Sequence, residues 1–230
     1  PGTGKTSRAL RKMVELFYGN QDVQILLLAY TNRAVDEICK SLLAIEPKVD
    51  FIRVGSELSC DEMYREYLIE NVLSNCSRRS EVYECITKCR LFVGTVASIA
   101  NKPELFNLKT FDVAIVDEAT QIIEPQLLGI LCAKNRKGEN ALGKFILIGD
   151  HKQLPAVVLQ NEEQSRVVDE QLNSIGLTNL RDSLFERLYR LHIDKLSGDN
   201  GSWVIDMLCK QGRMNPEVAF FPNHAFYSGK

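Results

Sequence analysis

Apolar residues recur along this chain in two alternating rhythms. Leu10, Met13, Val14 and Phe17 fall at the spacing of one helix face after Thr6, and Gly19 with Asn20 forms a natural stop. Residues 24–30, QILLLAY, follow as a short, almost wholly apolar run, the signature of a strand buried on both faces of a parallel sheet. Val35, Ile38, Leu42 and Ile45 then restore the helical period as far as Pro47. Further apolar runs, FIRVG (51–55), RLFVGT (90–95), FDVAIVD (111–117) and KFILIGD (144–150), each lead through a polar turn into a helical or irregular stretch. The alternation predicts an α/β fold with a central parallel sheet.

Two stretches interrupt it. Residues 56–89 are polar and charged, with Met63, Tyr67, Leu68 and Val72 at helical spacing, which predicts a small helical insertion. After a helix at DSLFERLYRL (182–191), the polar, glycine-containing segment 196–202 precedes the apolar run WVIDMLC (203–209), which predicts a strand. A domain boundary is therefore expected at 196–202, with one domain over 1–195 and the start of a second over 203–230.

Composition narrows the class. With 230 residues, 45% of them hydrophobic, the chain can bury a core the size of one large domain with part of another. Twenty-eight basic against 30 acidic residues give a net charge of −2, which excludes a basic coat for non-specific nucleic-acid binding but leaves room for a local basic groove. No apolar run approaches the ~18 residues of a membrane span. Seven cysteines, an odd number at irregular spacings, read as reduced thiols in a cytoplasmic or nuclear protein rather than as a disulfide framework. Pro1 opens directly onto a glycine-rich loop, so the chain is expected to be cut from a longer protein.

Three segments carry candidate chemistry. PGTGKTS fits the second part of a phosphate-binding loop, GxxxxGK[ST], with Gly2, Thr3 and Gly4 as the turn, Lys5 as a point charge for the β and γ phosphates, and Thr6 as a hydroxyl for Mg²⁺. The run FDVAIVD ends on Asp117 and Glu118, two carboxylates at the C-terminal edge of a parallel sheet, where one can hold Mg²⁺ and the other deprotonate an attacking water. KFILIGDHKQLP ends on Asp150 and Gln153, whose neutral amide can bond both a γ-phosphate and the attacking water.

Together with AYTNRAVDEI (29–38), VGTVASI (93–99), VDEATQ (116–121), SLFERL (183–188) and QGRMNPEVAFFPNHAFYSG (211–229), these segments resemble the superfamily 1 helicases, in the branch typified by the up-frameshift helicase of nonsense-mediated decay. The resemblance spans essentially the whole chain. It implies a RecA-like P-loop NTPase domain that uses ATP and Mg²⁺, and an enzyme that hydrolyses ATP to move along single-stranded DNA or RNA. By that resemblance Gln153 matches a γ-phosphate sensor, and Arg213 an arginine that reaches the γ-phosphate from the second RecA-like domain. Thr31, Asn32 and Thr95 match contacts to the strand backbone.

The sequence departs from the family pattern at Gly212, where an aromatic residue is usual, and at Asn215, where a histidine is usual. The later motifs lie beyond Lys230, so this chain alone is expected to bind nucleotide poorly and to unwind nothing. Within the insertion, Cys60, Cys76, Cys85 and Cys89 admit a zinc or iron–sulfur reading, but without a CxxC pair they fit helix packing as well. Arg78, Arg79, Lys88 and Arg90 form either a strand-binding patch or a solvated helix face. His151, His192 and His224 have no ligand spacing. A nucleotide switch without translocation, or a binding module without hydrolysis, would share the fold; TNRAVD and VGT speak against the first, and the intact Lys5, Thr6, Asp117 and Glu118 against the second.

Overall fold

Five apolar runs become strands, and all of them pair in parallel. In chain order they are β1 (Ile25–Ala29), β2 (Phe51–Val54), β3 (Leu91–Thr95), β4 (Phe111–Val116) and β5 (Leu142–Leu147), and the sheet runs β2-β3-β1-β4-β5. The computed structural model describes residues 2–193, 204–227 and 229. It divides into two compact units, one of Thr6–Glu118 with Gln126–Ile148 and one of Pro1–Lys5, Ala119–Pro125 and Gly149–Lys230.

The first unit holds the sheet. Every residue of the central strand β1 is fully buried, which is why its sequence shows no alternation: both faces are covered. One cover comes from the helical run that starts with a π-helical turn over Lys5–Leu10 and continues as α1 (Arg11–Tyr18), and from α2 (Asn32–Leu43). Leu10, Val14, Val35, Ile38, Cys39 and Leu42 pack with Ile25, Leu27 and Ala29 in one cluster, each aliphatic side chain worth about 1.5–3 kcal/mol on burial. The edge strand β5 begins two residues earlier than its apolar run suggests and is half exposed.

The insertion is present but is less helical than its spacing predicts. Two 3₁₀ stretches (Glu57–Ser59 and Glu62–Tyr67) and a single turn, α3 (Ile69–Val72), precede the one longer helix, α4 (Arg79–Lys88). Its inward face also differs: Met63 is 67% exposed, while Tyr64, Leu68 and Ile69 are buried. Tyr67 stacks on Phe51 with ring centroids 4.4 Å apart. Beneath them Arg53 of β2 is buried and ion-paired with Asp36 of α2. After β3 come α5 (Val96–Ala100) and α6 (Glu104–Leu108), and after β4 comes α7 (Glu124–Leu131), which starts in the second unit.

The second unit is built from short helices and loops. It contains α8 (Glu162–Ser165), α9 (Glu170–Ser174), α10 (Leu184–Ile193) and α11 (Pro216–Tyr227). The SLFERL segment explains itself here. Ser183 Oγ accepts from the Glu186 N–H at 3.1 Å to cap α10, and Arg187 grips Glu124 with two bonds of 2.7 and 2.6 Å. The strand predicted at 203–209 is not found: Trp203 and the predicted linker lie outside the described residues, and 205–210 carry no regular structure. Met207 and Leu208 are 51% and 44% exposed there, and an extended segment outside any ladder has no partner to hold it.

Two predictions follow from this packing. Arg187→Ala strands the Glu124 carboxylate, which is 5% exposed, and should destabilise the protein by about 3–5 kcal/mol in denaturant unfolding. Lys109, 7% exposed, donates to the Thr87 and Ile86 carbonyls at the end of α4, and burial lowers its ammonium to about 8. Below that pH the lysine is charged in both states, whereas between about 8 and its ordinary 10.5 the unfolded chain binds the extra proton, so stability rises with pH across this window. Urea unfolding at pH 7.5 and pH 10 should show wild type gaining on Lys109→Met.

Candidate functional site

The parallel sheet brings its loops out at one edge. In the sheet unit, the N–H of Asp117, the residue after β4, donates to the Leu28 carbonyl of β1 at 2.8 Å, which carries the carboxylate to the strand ends. Asp117 is 2% exposed, and its Oδ2 accepts from the Thr6 hydroxyl at 2.5 Å. Its Oδ1 accepts from the Glu118 N–H at 3.0 Å. Thr6 and Asp117, 111 positions apart, thus present two hard oxygen donors side by side. Neighbouring ligands of an octahedral Mg²⁺ with ~2.1 Å bonds stand about 3 Å apart, so this pair fits the ion after opening by a few tenths of an ångström.

Glu118 occupies the left-handed region at φ 52°, the only non-glycine among the described residues to do so. Such a backbone costs a side-chain-bearing residue on the order of 1 kcal/mol, and it re-aims the chain so that successive carboxylates face differently.

The sheet unit also carries the three residues expected to touch a strand. Thr31 is exposed and caps α2, its hydroxyl oxygen accepting from the Ala34 N–H at 3.1 Å, and Asn32 begins that helix. Thr95 is 5% exposed, accepts from the Ser98 N–H at 3.0 Å and shares a 2.7 Å hydrogen bond with the Ser98 hydroxyl. Ala29 and Thr95 are register partners, so the two loops leave the same sheet edge side by side.

In the second unit, Gly2 and Gly4 have φ of 77° and 76°, the glycine-permitted turn that directs successive N–H groups to one side of the loop. Thr3 lies between them and Lys5 follows, its Nζ 3.8 Å from Asp150 Oδ2. Asp150 also accepts from Gln153 Nε2 at 2.7 Å, from the Tyr227 hydroxyl at 2.8 Å and from the Lys152 N–H at 3.1 Å. Burial alone would push the Asp150 carboxyl up; these hydrogen bonds and the Lys5 charge outweigh it and hold the group below its usual range. Burial and the Lys152 charge lower His151, which lies against the Tyr189 ring at 4.1 Å.

Arg213 is exposed on a turn that Gln211 builds, its Oε1 accepting from the N–H groups of Arg213 and Met214 at 3.1 and 2.9 Å. The turn sits on the glycine loop: the Gly212 N–H donates to the Gly2 carbonyl at 3.0 Å, and a Cβ on Gly2 would fall 2.5 Å from the Arg213 Cβ. A Cβ on Gly212 would meet nothing within 4 Å, so the aromatic residue usual in the family would begin in open space here. Asn215 Oδ1 accepts from the Glu217 N–H at 3.0 Å at the start of α11, a capping role suited to the amide.

Gln211 and Tyr227 are the site residues that sequence reasoning missed; Tyr227 and its partner are 77 positions apart, and no spacing rule links them. The four insertion cysteines do not converge. Cys60 and Cys89 donate to backbone carbonyls of Asp61 and Leu91, each at 3.3 Å, while Cys85 adjoins Cys76. Among the described residues no three His, Cys, Asp or Glu form a metal-holding group, and no helix is long and apolar enough to cross a membrane.

The strained backbone at Glu118 makes its own prediction. Glu118→Gly and Glu118→Ala lose the same carboxylate, but only alanine keeps the positive-φ penalty, so the glycine variant should be the more stable by about 1 kcal/mol in denaturant unfolding.

The AAA domain family matches residues 69–161. DNA replication ATP-dependent helicase/nuclease DNA2 of Bos taurus is 32% identical over the whole of this chain, which covers 18% of that protein. DNA replication ATP-dependent helicase/nuclease JHS1 of Arabidopsis thaliana is 32% identical over 86% of this chain and 13% of its own length. DNA polymerase alpha-associated DNA helicase A of Saccharomyces cerevisiae is 26% identical over the whole chain and 38% of its own length. The chain thus spans about a fifth or less of the first two relatives and about two fifths of the third. In its motif order, its five-stranded parallel sheet and these relatives, the chain is similar to the superfamily 1 helicases.

Proposed function

We propose that this chain is the ATP-hydrolysing core of an enzyme that moves along single-stranded nucleic acid. The observation that carries the reading is the Thr6 hydroxyl against Asp117 with Glu118 next in sequence, a hydroxyl, a metal-binding carboxylate and a candidate base at the end of one buried strand. Thr6 and Asp117 would hold Mg²⁺, which when bound neutralises charge on the phosphates. The N–H groups of Gly2, Thr3 and Gly4 and the ammonium of Lys5 would cradle those phosphates.

Hydrolysis then needs a water placed in line with the γ-phosphorus. Glu118 takes the proton of that water as its oxygen bonds to phosphorus and the bond to the ADP oxygen breaks. The Gln153 amide orients the water and the phosphate, and Arg213 stabilises charge building on the transferred group.

The domain reading accompanies this one. Residues 1–195, with the insertion at 56–89, form a first RecA-like domain, 196–202 a linker, and 203 onward the start of a second. ATP draws the domains together and hydrolysis releases them, so that alternating grip produces steps along the strand. Thr31 and Asn32 at the start of α2 would bond strand phosphates without reading bases. Thr95, whose hydroxyl is engaged by Ser98, would act by fixing the neighbouring loop. The relatives' names favour DNA as the strand, and seven free cysteines fit a cytoplasmic or nuclear setting.

The test is ATP turnover by the full-length protein, alone and with single-stranded DNA or RNA. Lys5→Ala and Glu118→Gln should each reduce turnover by at least about 10²-fold, with Glu118→Gln still binding nucleotide. Turnover retained in Glu118→Gln would remove it as the base, and turnover indifferent to both strands would point to a nucleotide switch instead.

A further inference from the structure

One carboxylate oxygen connects three parts of the second unit. Asp150 Oδ2 accepts from Gln153 Nε2 at 2.7 Å and from the Tyr227 hydroxyl at 2.8 Å, while Lys5 Nζ stands 3.8 Å away. The first two are hydrogen bonds, and the third lies in ion-pair range but beyond hydrogen-bond range. A carboxylate oxygen has about two lone-pair directions, and the amide and the phenol fill them. The Lys152 N–H takes the other oxygen at 3.1 Å.

Tyr227 can be relied on as a donor. Burial, and then the Asp150 carboxylate, push its hydroxyl up to about 12, so it keeps its proton at neutral pH. It comes from the last residue of α11, on the same 204–229 segment whose Gly212 N–H rests on the Gly2 carbonyl. The segment therefore meets the phosphate-loop region at two points, the turn of the loop and the partner of its lysine.

We infer that Tyr227 is a positioning residue for nucleotide binding: by occupying Asp150 Oδ2 it keeps Lys5 from closing a direct hydrogen bond to that carboxylate and so leaves the ammonium available to phosphate. The inference rests on the reading of Lys5 as a phosphate ligand. Remove the hydroxyl, and a vacated lone pair lies on the oxygen 3.8 Å from Lys5 Nζ, within reach of a small side-chain movement. A charge-assisted bond forms there, and incoming phosphates must break it before they can bind.

The experiment is a double-mutant cycle in the full-length protein, with binding of a fluorescent ATP analogue and steady-state ATP turnover as readouts. Tyr227→Phe should weaken analogue binding and raise the ATP KM about tenfold, a larger change than any fall in kcat. In an Asp150→Asn background, whose neutral amide does not hold the ammonium, adding Tyr227→Phe should change binding by less than about twofold. An unchanged affinity in Tyr227→Phe overturns the assignment. So does an equal loss in both backgrounds, since a purely structural hydroxyl acts whatever charge residue 150 carries. If wild type binds no analogue while Tyr227→Phe and wild type melt alike, it is the phosphate reading of Lys5 that fails, and this inference falls with it.

Discussion

Parallel strands share a direction, and that constraint organises the rest of the sheet unit. A parallel ladder forces every strand to end on the same side, and because crossovers cover both faces, that side is where chain can emerge with polar groups exposed to ligand. Asp117 after β4, Thr31 after β1 and Thr95 at the end of β3 are brought to one edge by backbone geometry rather than by any attraction among them. The hydrophobic core, with Leu27 and Ala29 fully buried at its centre, fixes the strands closely enough for a threonine and an aspartate 111 residues apart to meet at hydrogen-bond distance.

The second unit follows a different logic. Its helices are short, and its order comes from polar clamps: the Arg187–Glu124 pair, the Gln211 turn and the Asp150 carboxylate with its several donors. Such clamps are directional and hold each partner to one geometry. The sheet core, in contrast, is held by non-directional burial that no single ligand contact can redirect.

Much of this was legible in the sequence, and the reason is physical. Residues such as Ile25–Ala29 or Phe111–Val116 form strands because a run buried on both faces leaves a continuous apolar signal, and Gly2 and Gly4 announce themselves because a turn with positive φ demands glycine. What was not legible depends on three-dimensional closure. The inward face of the insertion falls on Tyr64, Leu68 and Ile69 rather than on Met63 because the segment breaks into short 3₁₀ and α pieces instead of one continuous helix, and residues 205–210 look like a strand although strand structure belongs to a pair of segments rather than to one. Tyr227 and Gln211 both stand in the 211–229 segment, yet nothing local marks the contacts they make, and the partner of Tyr227 is 77 positions away.

Arg53 has a consequence of another kind. Its guanidinium is 1% exposed and ion-paired with Asp36, yet its Nε and Nη2 are buried without hydrogen-bond partners among the described residues, so an aliphatic residue would fill the same space with less electrostatic strain. An aliphatic residue would also tolerate β2 sliding against β3, whereas a one-residue slip turns this side chain to the opposite face of the sheet and leaves the Asp36 carboxylate alone. A slip of β2 would therefore carry a cost at Arg53 that an aliphatic residue there would not impose, at the strand from which the insertion departs.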